Sequence, residues 1–208
     1  MLSKKELEIK ISQLKGFVKP KKKLEQYITP DNIVAEMVHL AYIQGNIENK
    51  IIIDLCSGTG KIAIATSFYK PKMVIGIEKD RDAVRVALEN RKLMKAINTY
   101  FVLGDALNLP IKAKKVTVLQ NPPFGIINKD IKDVDVVKVV SKIADWIYSI
   151  HKGGNQKTRD FLVSFYKSVG FNVLIIKEFL FMIPWQFDFH KKPKTKISVD
   201  LYVARKLD

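Results

Sequence analysis

The 208-residue sequence is poor in several features, and each shortage excludes a class of protein. Its single cysteine, Cys56, excludes an intrachain disulfide framework and a cysteine-based zinc site. No apolar run approaches the ~20 residues of a membrane-spanning helix, and the start, MLSKKELEIK, lacks the apolar centre of a signal peptide. His151 and His190 have no companion ligands at metal spacing, so we expect no metal. We therefore expect a cytoplasmic protein without membrane segments.

Acidic residues are also scarce relative to basic ones, with 21 Asp and Glu against 36 Lys and Arg, which gives a net charge of +15. The 47% hydrophobic composition is enough for the core of one domain. The excess of positive charge favours a polyanionic partner such as nucleic acid. The lysines that we expect to contact it lie in two basic stretches: Lys21, Lys22, Lys23, Lys191, Lys192, Lys194 and Lys196.

The order of apolar runs and helical patterns predicts an α/β fold. A helix is expected over Ser3–Leu14, capped by Ser3 and Glu6, and with the basic linker behind it we assign residues 1–23 to an N-terminal extension. Over residues 24–208, short strands alternate with helices, which predicts a parallel, doubly wound sheet. The last two strand-like segments, FNVLIIKEFLFMI and KISVDLYVARK, predict a C-terminal antiparallel hairpin.

Polar residues stand where the predicted strands end, at the edge where open α/β sheets bind ligands. The turn Asp54-Leu-Cys-Ser57-Gly58-Thr-Gly60 follows the first strand, and its small residues let a ligand approach the backbone. Glu78 lies 20 residues after Gly58, where a carboxylate can accept hydrogen bonds from ribose hydroxyls. This pattern indicates a nucleoside-containing cofactor. A nicotinamide dinucleotide is one candidate, but the Asp54 carboxylate better suits the ammonium group of a sulfonium methyl donor.

Two further strand ends complete the candidate site. Asp105-Ala106 follows the third strand, where a carboxylate can accept from the amine of an adenine ring. Asn121-Pro122-Pro123-Phe124 follows the fourth, and we predict these four as the catalytic residues. The Asn121 side-chain oxygen and the Pro122 carbonyl can accept from the two N–H bonds of a delocalised amine, while the prolines limit movement of the loop. Phe124 can stack on a planar substrate.

These motifs resemble those of class I S-adenosylmethionine-dependent methyltransferases that modify amino groups. More narrowly, LEQY-TP, NPPFG, YSIHK and FHKK…SVDLYV resemble the methyltransferase-like 5 family of ribosomal RNA adenosine N6-methyltransferases, over residues 24–203. The resemblance implies a seven-stranded sheet, and it carries the family's cofactor-holding Gln and Thr over to Gln26 and Thr29. Ser57 stands where that family often has Gly, and Glu78 where Asp is common.

From this resemblance we expect transfer of methyl from S-adenosylmethionine to adenine N6 in structured RNA, most of all ribosomal RNA. The resemblance also implies a small zinc-binding activator protein that completes an exposed sheet edge. Two alternatives stay open. One is a glutamine N5-methyltransferase acting on a release factor, since that family also has an NPP-aromatic motif. The other is a non-catalytic RNA-binding module that keeps the cofactor fold.

Overall fold

A computed structural model describes residues 2–127, 132–184 and 194–207, which form a seven-stranded sheet flanked by helices. The strands are β1 (Ile51–Leu55), β2 (Met73–Glu78), β3 (Thr99–Leu103), β4 (Val116–Gln120), β5 (Ala144–Lys152), β6 (Phe171–Pro184) and β7 (Lys194–Lys206). The helices are α1 (Lys4–Ile11), α2 (Asp31–Ile43), α3 (Lys61–Ser67), α4 (Arg81–Leu93), α5 (Asp133–Val140) and α6 (Gln156–Ser168).

The strand order is β3-β2-β1-β4-β5-β7-β6. β1 to β5 pair in parallel, whereas β7 runs antiparallel to both β5 and β6. The predicted doubly wound α/β sheet with a C-terminal antiparallel hairpin is confirmed. Because the first four strands are parallel, their carboxyl ends meet at one edge, and the polar strand ends of the sequence meet there too.

Hydrophobic side chains cover both faces of this sheet. Along β1, Ile52 belongs to a core cluster with the apolar faces of α1, α2 and α3, whereas Ile53 belongs to a cluster with α5 and α6. Leu7 and Ile11 of α1 are fully buried in the first cluster, so α1 shares the core of the sheet. The division at residue 23 stays a prediction about domain organisation. Among the described residues, no helix has the length and apolar character needed to cross a membrane.

Local sequence explains how the helices near the sheet edge begin. Ser3 and Glu6 form the predicted capping box at the start of α1. Before α4, the Asp80 side chain accepts a hydrogen bond from the Asp82 amide at 3.1 Å. Gly60 precedes α3 with a φ of +82°, and a Cβ there would lie 2.5 Å from the Phe101 ring. Glycine is favoured at this position, because the left-handed backbone and the close approach both make a side chain costly.

Candidate active site

A cavity lies at the carboxyl ends of the first four strands and is bordered by chain from residues 17 to 29. It brings together segments that are far apart in the sequence. The predicted site residues that line it are Gln26, Thr29, Ser57, Gly58, Glu78, Asp105, Ala106, Asn121, Pro122, Pro123 and Phe124. Two others, Asp54 and Gly60, are not among its lining residues.

Glu78 holds the glycine turn after β1 in place. One carboxylate oxygen accepts a hydrogen bond from the Gly58 amide at 2.8 Å, and the other accepts from the Asp80 amide at 2.9 Å. Gly58 has a φ of +54°, and a Cβ on it would lie 2.9 Å from the Phe17 ring. Burial raises the pKa of the Glu78 carboxyl above its ordinary value, while the backbone hydrogen bonds act in the opposite direction.

Asp54 lies beneath the turn rather than in the cavity. Its side chain is 1% exposed, and Oδ2 accepts a hydrogen bond from the Ala63 amide of α3 at 2.8 Å. Burial raises the pKa of this carboxyl well above its ordinary value. Asp54 therefore fixes the start of α3 against the end of β1, and its expected contact with a cofactor ammonium stays a prediction.

The Asn121 side chain is oriented by one hydrogen bond and presents one unpaired atom. Its Nδ2 donates to Thr29 Oγ1 at 2.8 Å, so the amide nitrogen faces the segment before α2. Its Oδ1 is buried and has no hydrogen-bond partner among the described residues. A buried acceptor left unpaired in the protein costs free energy unless a ligand satisfies it. Asn121 therefore keeps one hydrogen-bond acceptor that no described residue uses, and its predicted role toward a ligand stays a prediction.

Other polar groups of the cavity fit the donor groups of S-adenosylmethionine. Ser57 Oγ is also buried without a partner in the described part of the chain. Asp105, at the end of β3, accepts from the Leu107 amide at 2.9 Å through Oδ1, which fixes its carboxylate at the cavity wall. That Glu78 accepts from ribose hydroxyls and Asp105 from an adenine amine stays a prediction from their places at successive strand ends.

Residues 15–29, which we call the N-terminal strap, are tied to α4 and to Asp80 just before it. Asn90 of α4 accepts from the Lys15 amide and donates to the Lys15 carbonyl, both at 2.9 Å. Gln26 donates to Asp80 at 2.7 Å, and the Lys21 ammonium lies 2.5 Å from the same carboxylate. Burial opposes ionisation of Asp80, but Gln26 and Lys21 outweigh it and lower its pKa. The strap thus closes one side of the cavity.

The lysines predicted to bind RNA differ in their surroundings. Lys21 pairs with Asp80 and, at 2.9 Å, with Asp82, so its charge is compensated within the protein. Lys22 and Lys23 are exposed, and Lys23 also lines the cavity. On β7, Lys196 is exposed and Lys194 is the first residue of the strand, whereas Lys191 and Lys192 lie outside the described residues. RNA binding by this set stays a prediction.

His151 lies in the core, where two side chains hold both of its ring nitrogens. It is fully buried, with Nδ1 2.6 Å from Asp133 Oδ2 and Nε2 2.9 Å from the Tyr166 hydroxyl. His190, the other histidine considered as a ligand, lies outside the described residues. Within residues 2–127, 132–184 and 194–207, no group of three or more His, Cys, Asp or Glu side chains is arranged to hold a metal ion.

Sequence reasoning missed Glu25. Its carboxylate accepts from the Phe124 amide at 2.8 Å and from the Ile127 amide at 2.6 Å, and the residue is 8% exposed. Glu25 lies in the LEQY segment beside Gln26, yet no local pattern signals a partner about a hundred residues away. Only the knowledge that this glutamate is buried would have prompted a search for donors that compensate its charge.

Residues 47–143 match the family model of a methyltransferase domain. With the seven-stranded sheet and the cavity at its strand ends, this match gives the protein the class I methyltransferase fold. The rRNA N(6)-adenosine-methyltransferase Mettl5 of Drosophila melanogaster is 33% identical over 206 residues, which cover 97% of this chain and 95% of that protein. The chain therefore belongs to the methyltransferase-like 5 family.

Two other comparisons bear on the function. A crystallised protein of Pyrococcus horikoshii, described as a candidate RNA methyltransferase, has a TM-score of 0.90 and 38% identity over 100% of both chains. The release factor glutamine methyltransferase of Thermodesulfovibrio yellowstonii is 35% identical over 94 residues, which cover 44% of this chain and 33% of that protein. The second match is confined to part of the fold, whereas the family match runs through nearly the whole chain.

Proposed function

We propose that this protein transfers methyl from S-adenosylmethionine to N6 of an adenine in structured ribosomal RNA. The observation that carries methyl transfer to an amine nitrogen is the Asn121 side chain, whose Oδ1 is buried and has no partner among the described residues while its Nδ2 is held by Thr29. The choice of adenine in RNA rests on the relatives. The adenosine-methyltransferase relatives match nearly the full chain, including the strap and the hairpin that flank the cavity.

Adenine N6 is a poor nucleophile because its lone pair is delocalised into the ring. An acceptor placed on an N–H bond stabilises the nitrogen most as it becomes tetrahedral, so the interaction strengthens towards the transition state. Asn121 Oδ1 is suited to be one such acceptor, and the Pro122 carbonyl is suited to be the second. When bound, S-adenosylmethionine supplies an electrophilic methyl group on its sulfonium. No covalent intermediate with the protein is required.

The residues around Asn121 orient the reactants and limit movement. Pro122 and Pro123 fix the backbone of the loop, because the φ angle of each is locked by its ring. Phe124 lines the cavity, and in this proposal an adenine stacks on its ring. Glu78, Asp105, Gln26 and Thr29 hold the cofactor in this proposal. The exposed Lys22 and Lys23 contact RNA phosphates, and Lys23 borders the same cavity.

The glutamine alternative requires the same chemistry on a carboxamide. A release-factor glutamine also presents two N–H bonds on a delocalised nitrogen, so the Asn121 geometry alone does not separate the two substrates. The partial match to a glutamine methyltransferase covers 44% of the chain, against 97% for the adenosine-methyltransferase relative, which favours the RNA substrate. Labelled S-adenosylmethionine offered with ribosomal RNA and with a release factor, followed by nucleoside and peptide mass analysis, separates them. No transfer to either substrate would support the non-catalytic module.

The β3 edge of the sheet is where we propose that a protein partner binds. Tyr100 and Leu103 on β3 are 47% and 48% exposed, and Leu93 and Ile97 beside them are 53% and 75% exposed. An open strand edge next to exposed apolar side chains suits a protein that adds a strand to the sheet. We propose that a small zinc-binding activator binds there in the cytoplasm. Titration of the purified pair by calorimetry tests this, with loss of binding expected for Leu103→Asp, and wild-type binding by that variant contradicting it.

A further inference from the structure

The loop after β4 is difficult to anchor by its own backbone. Pro122 and Pro123 have no N–H group, so the first backbone donor behind Asn121 is the Phe124 amide. In the structure that amide donates to Glu25 Oε2 at 2.8 Å, and the Ile127 amide donates to Glu25 Oε1 at 2.6 Å. One carboxylate of the N-terminal strap therefore holds two points of the loop that carries Asn121.

The strap is itself fixed by the residues that follow Glu25. Gln26 donates to the buried Asp80 at 2.7 Å, and Thr29 accepts from Asn121 at 2.8 Å. Glu25 is 8% exposed although it carries a carboxylate, and hydrogen bonds from backbone N–H groups compensate a charge in such a place. The same short segment thus borders the cofactor cavity and holds the Asn-Pro-Pro-Phe loop.

The backbone of Glu25 is left-handed, as it is at five other non-glycine residues among those described, so the inference depends on the side-chain contacts. The φ of Glu25 is +49°, in the left-handed region that favours glycine and strains other residues. A glycine would relieve this strain but would leave the Phe124 and Ile127 amides without their acceptor. A residue kept in an unfavourable conformation while its carboxylate holds two loop amides is consistent with a role for the carboxylate.

We propose that Glu25 is a positioning residue for methyl transfer, which sets the place of the Pro122 carbonyl and the Phe124 ring through its two hydrogen bonds to the loop. This inference rests on the proposed function. Its consequence is that the strap, which borders the cofactor cavity, also places the acceptor groups. If only one of the two hydrogen bonds held the loop, the cofactor site would remain. The substrate amine would, however, no longer be aligned with its acceptors.

Two substitutions at Glu25 distinguish the role of its carboxylate from the effect of its left-handed backbone. Glu25→Gln keeps one acceptor oxygen and sets an NH₂ group against the other loop amide, whereas Glu25→Gly removes the carboxylate and relieves the left-handed strain. We expect single-turnover methyl transfer to ribosomal RNA to slow by ~10-fold or more in both variants, because small displacements of reacting groups are costly. Cofactor affinity measured by calorimetry should change by less than about threefold. Full activity in Glu25→Gly would overturn the proposal.

A second readout needs neither RNA nor turnover. Hydrogen exchange at the Phe124 and Ile127 amides, followed by NMR, should become ~10-fold faster in Glu25→Gln. The control is Glu36→Gln on α2, which loses ion pairs to Lys4 and Lys177 away from the cavity and should leave both amides unchanged. Wild-type exchange at both amides in Glu25→Gln would overturn the proposal. Faster exchange together with no methylation of ribosomal RNA by the wild type would instead retain the loop anchor and refute the proposed substrate.

Discussion

The hydrogen bond between Thr29 and Asn121 offers a test of how the acceptor is oriented. Thr29→Val has nearly the same shape but removes the oxygen that accepts from Asn121 Nδ2 at 2.8 Å. Thr29 is 8% exposed, so water replaces that acceptor poorly. An unsatisfied buried donor costs ~1 to 3 kcal/mol, and the amide can lower this cost by turning, which moves Oδ1 away from the substrate amine. If that free energy is lost from the transition state, the rate falls by ~5 to 150-fold.

The assay for Thr29→Val is single-turnover methyl transfer to ribosomal RNA at saturating cofactor. Thr29→Ser retains the hydroxyl and should stay close to the wild-type rate. Thr66→Val, which removes a buried hydroxyl within α3 that donates to the Ile62 carbonyl at 2.8 Å, controls for loss of a buried polar group elsewhere. Equal rates for Thr29→Val and wild type, in a folded variant, would show that Asn121 needs no orienting partner.

Three further predictions concern stability, RNA affinity and stacking. Because burial raises the folded-state pKa of Asp54, the stability of the protein should fall as pH rises from ~4 through that raised pKa. In thermal denaturation, Asp54→Asn should abolish this decline. An unchanged pH profile in the variant would contradict the prediction. The double substitution Lys23→Ala and Lys196→Ala should reduce the slope of log affinity for RNA against log salt concentration by ~0.7 to 0.9 for each phosphate that is no longer neutralised. Lys21→Ala should leave the slope unchanged, because the Lys21 charge is already paired with Asp80. Phe124→Ala should weaken RNA use by ~1 to 3 kcal/mol, and Phe124→Tyr should be tolerated; equal loss in both would argue against stacking.

The strand ends were the part of the site that sequence could predict. Glu78, Asp105 and Asn121 each follow an apolar run, and parallel strands bring such positions to one edge whatever the side chains do next. The capping box of Ser3 and Glu6 was predictable for a similar reason, because both partners lie within one helical turn.

Interactions between distant segments were not predictable in this way. Glu25 meets Phe124 across 99 positions, and Lys21 meets Asp80 across 59, so no periodicity or spacing relates them. The burial of a side chain was equally unpredictable. The sequence places Asp54 at a strand end but does not tell whether its carboxylate faces the cavity or the first turn of α3. Tertiary packing decides both, since it sets which chain covers a strand end.

The central claim is tested most directly by comparing wild type with Asn121→Ala in methyl transfer to ribosomal RNA. Labelled S-adenosylmethionine, single-turnover rates and nucleoside mass analysis give both product and rate, and calorimetry gives cofactor affinity. We predict N6-methyladenosine from the wild type, and a rate that is lower by about 10²-fold or more in Asn121→Ala with cofactor affinity nearly unchanged. Wild-type turnover by Asn121→Ala, or label found in a release-factor peptide and absent from N6-methyladenosine, would contradict it.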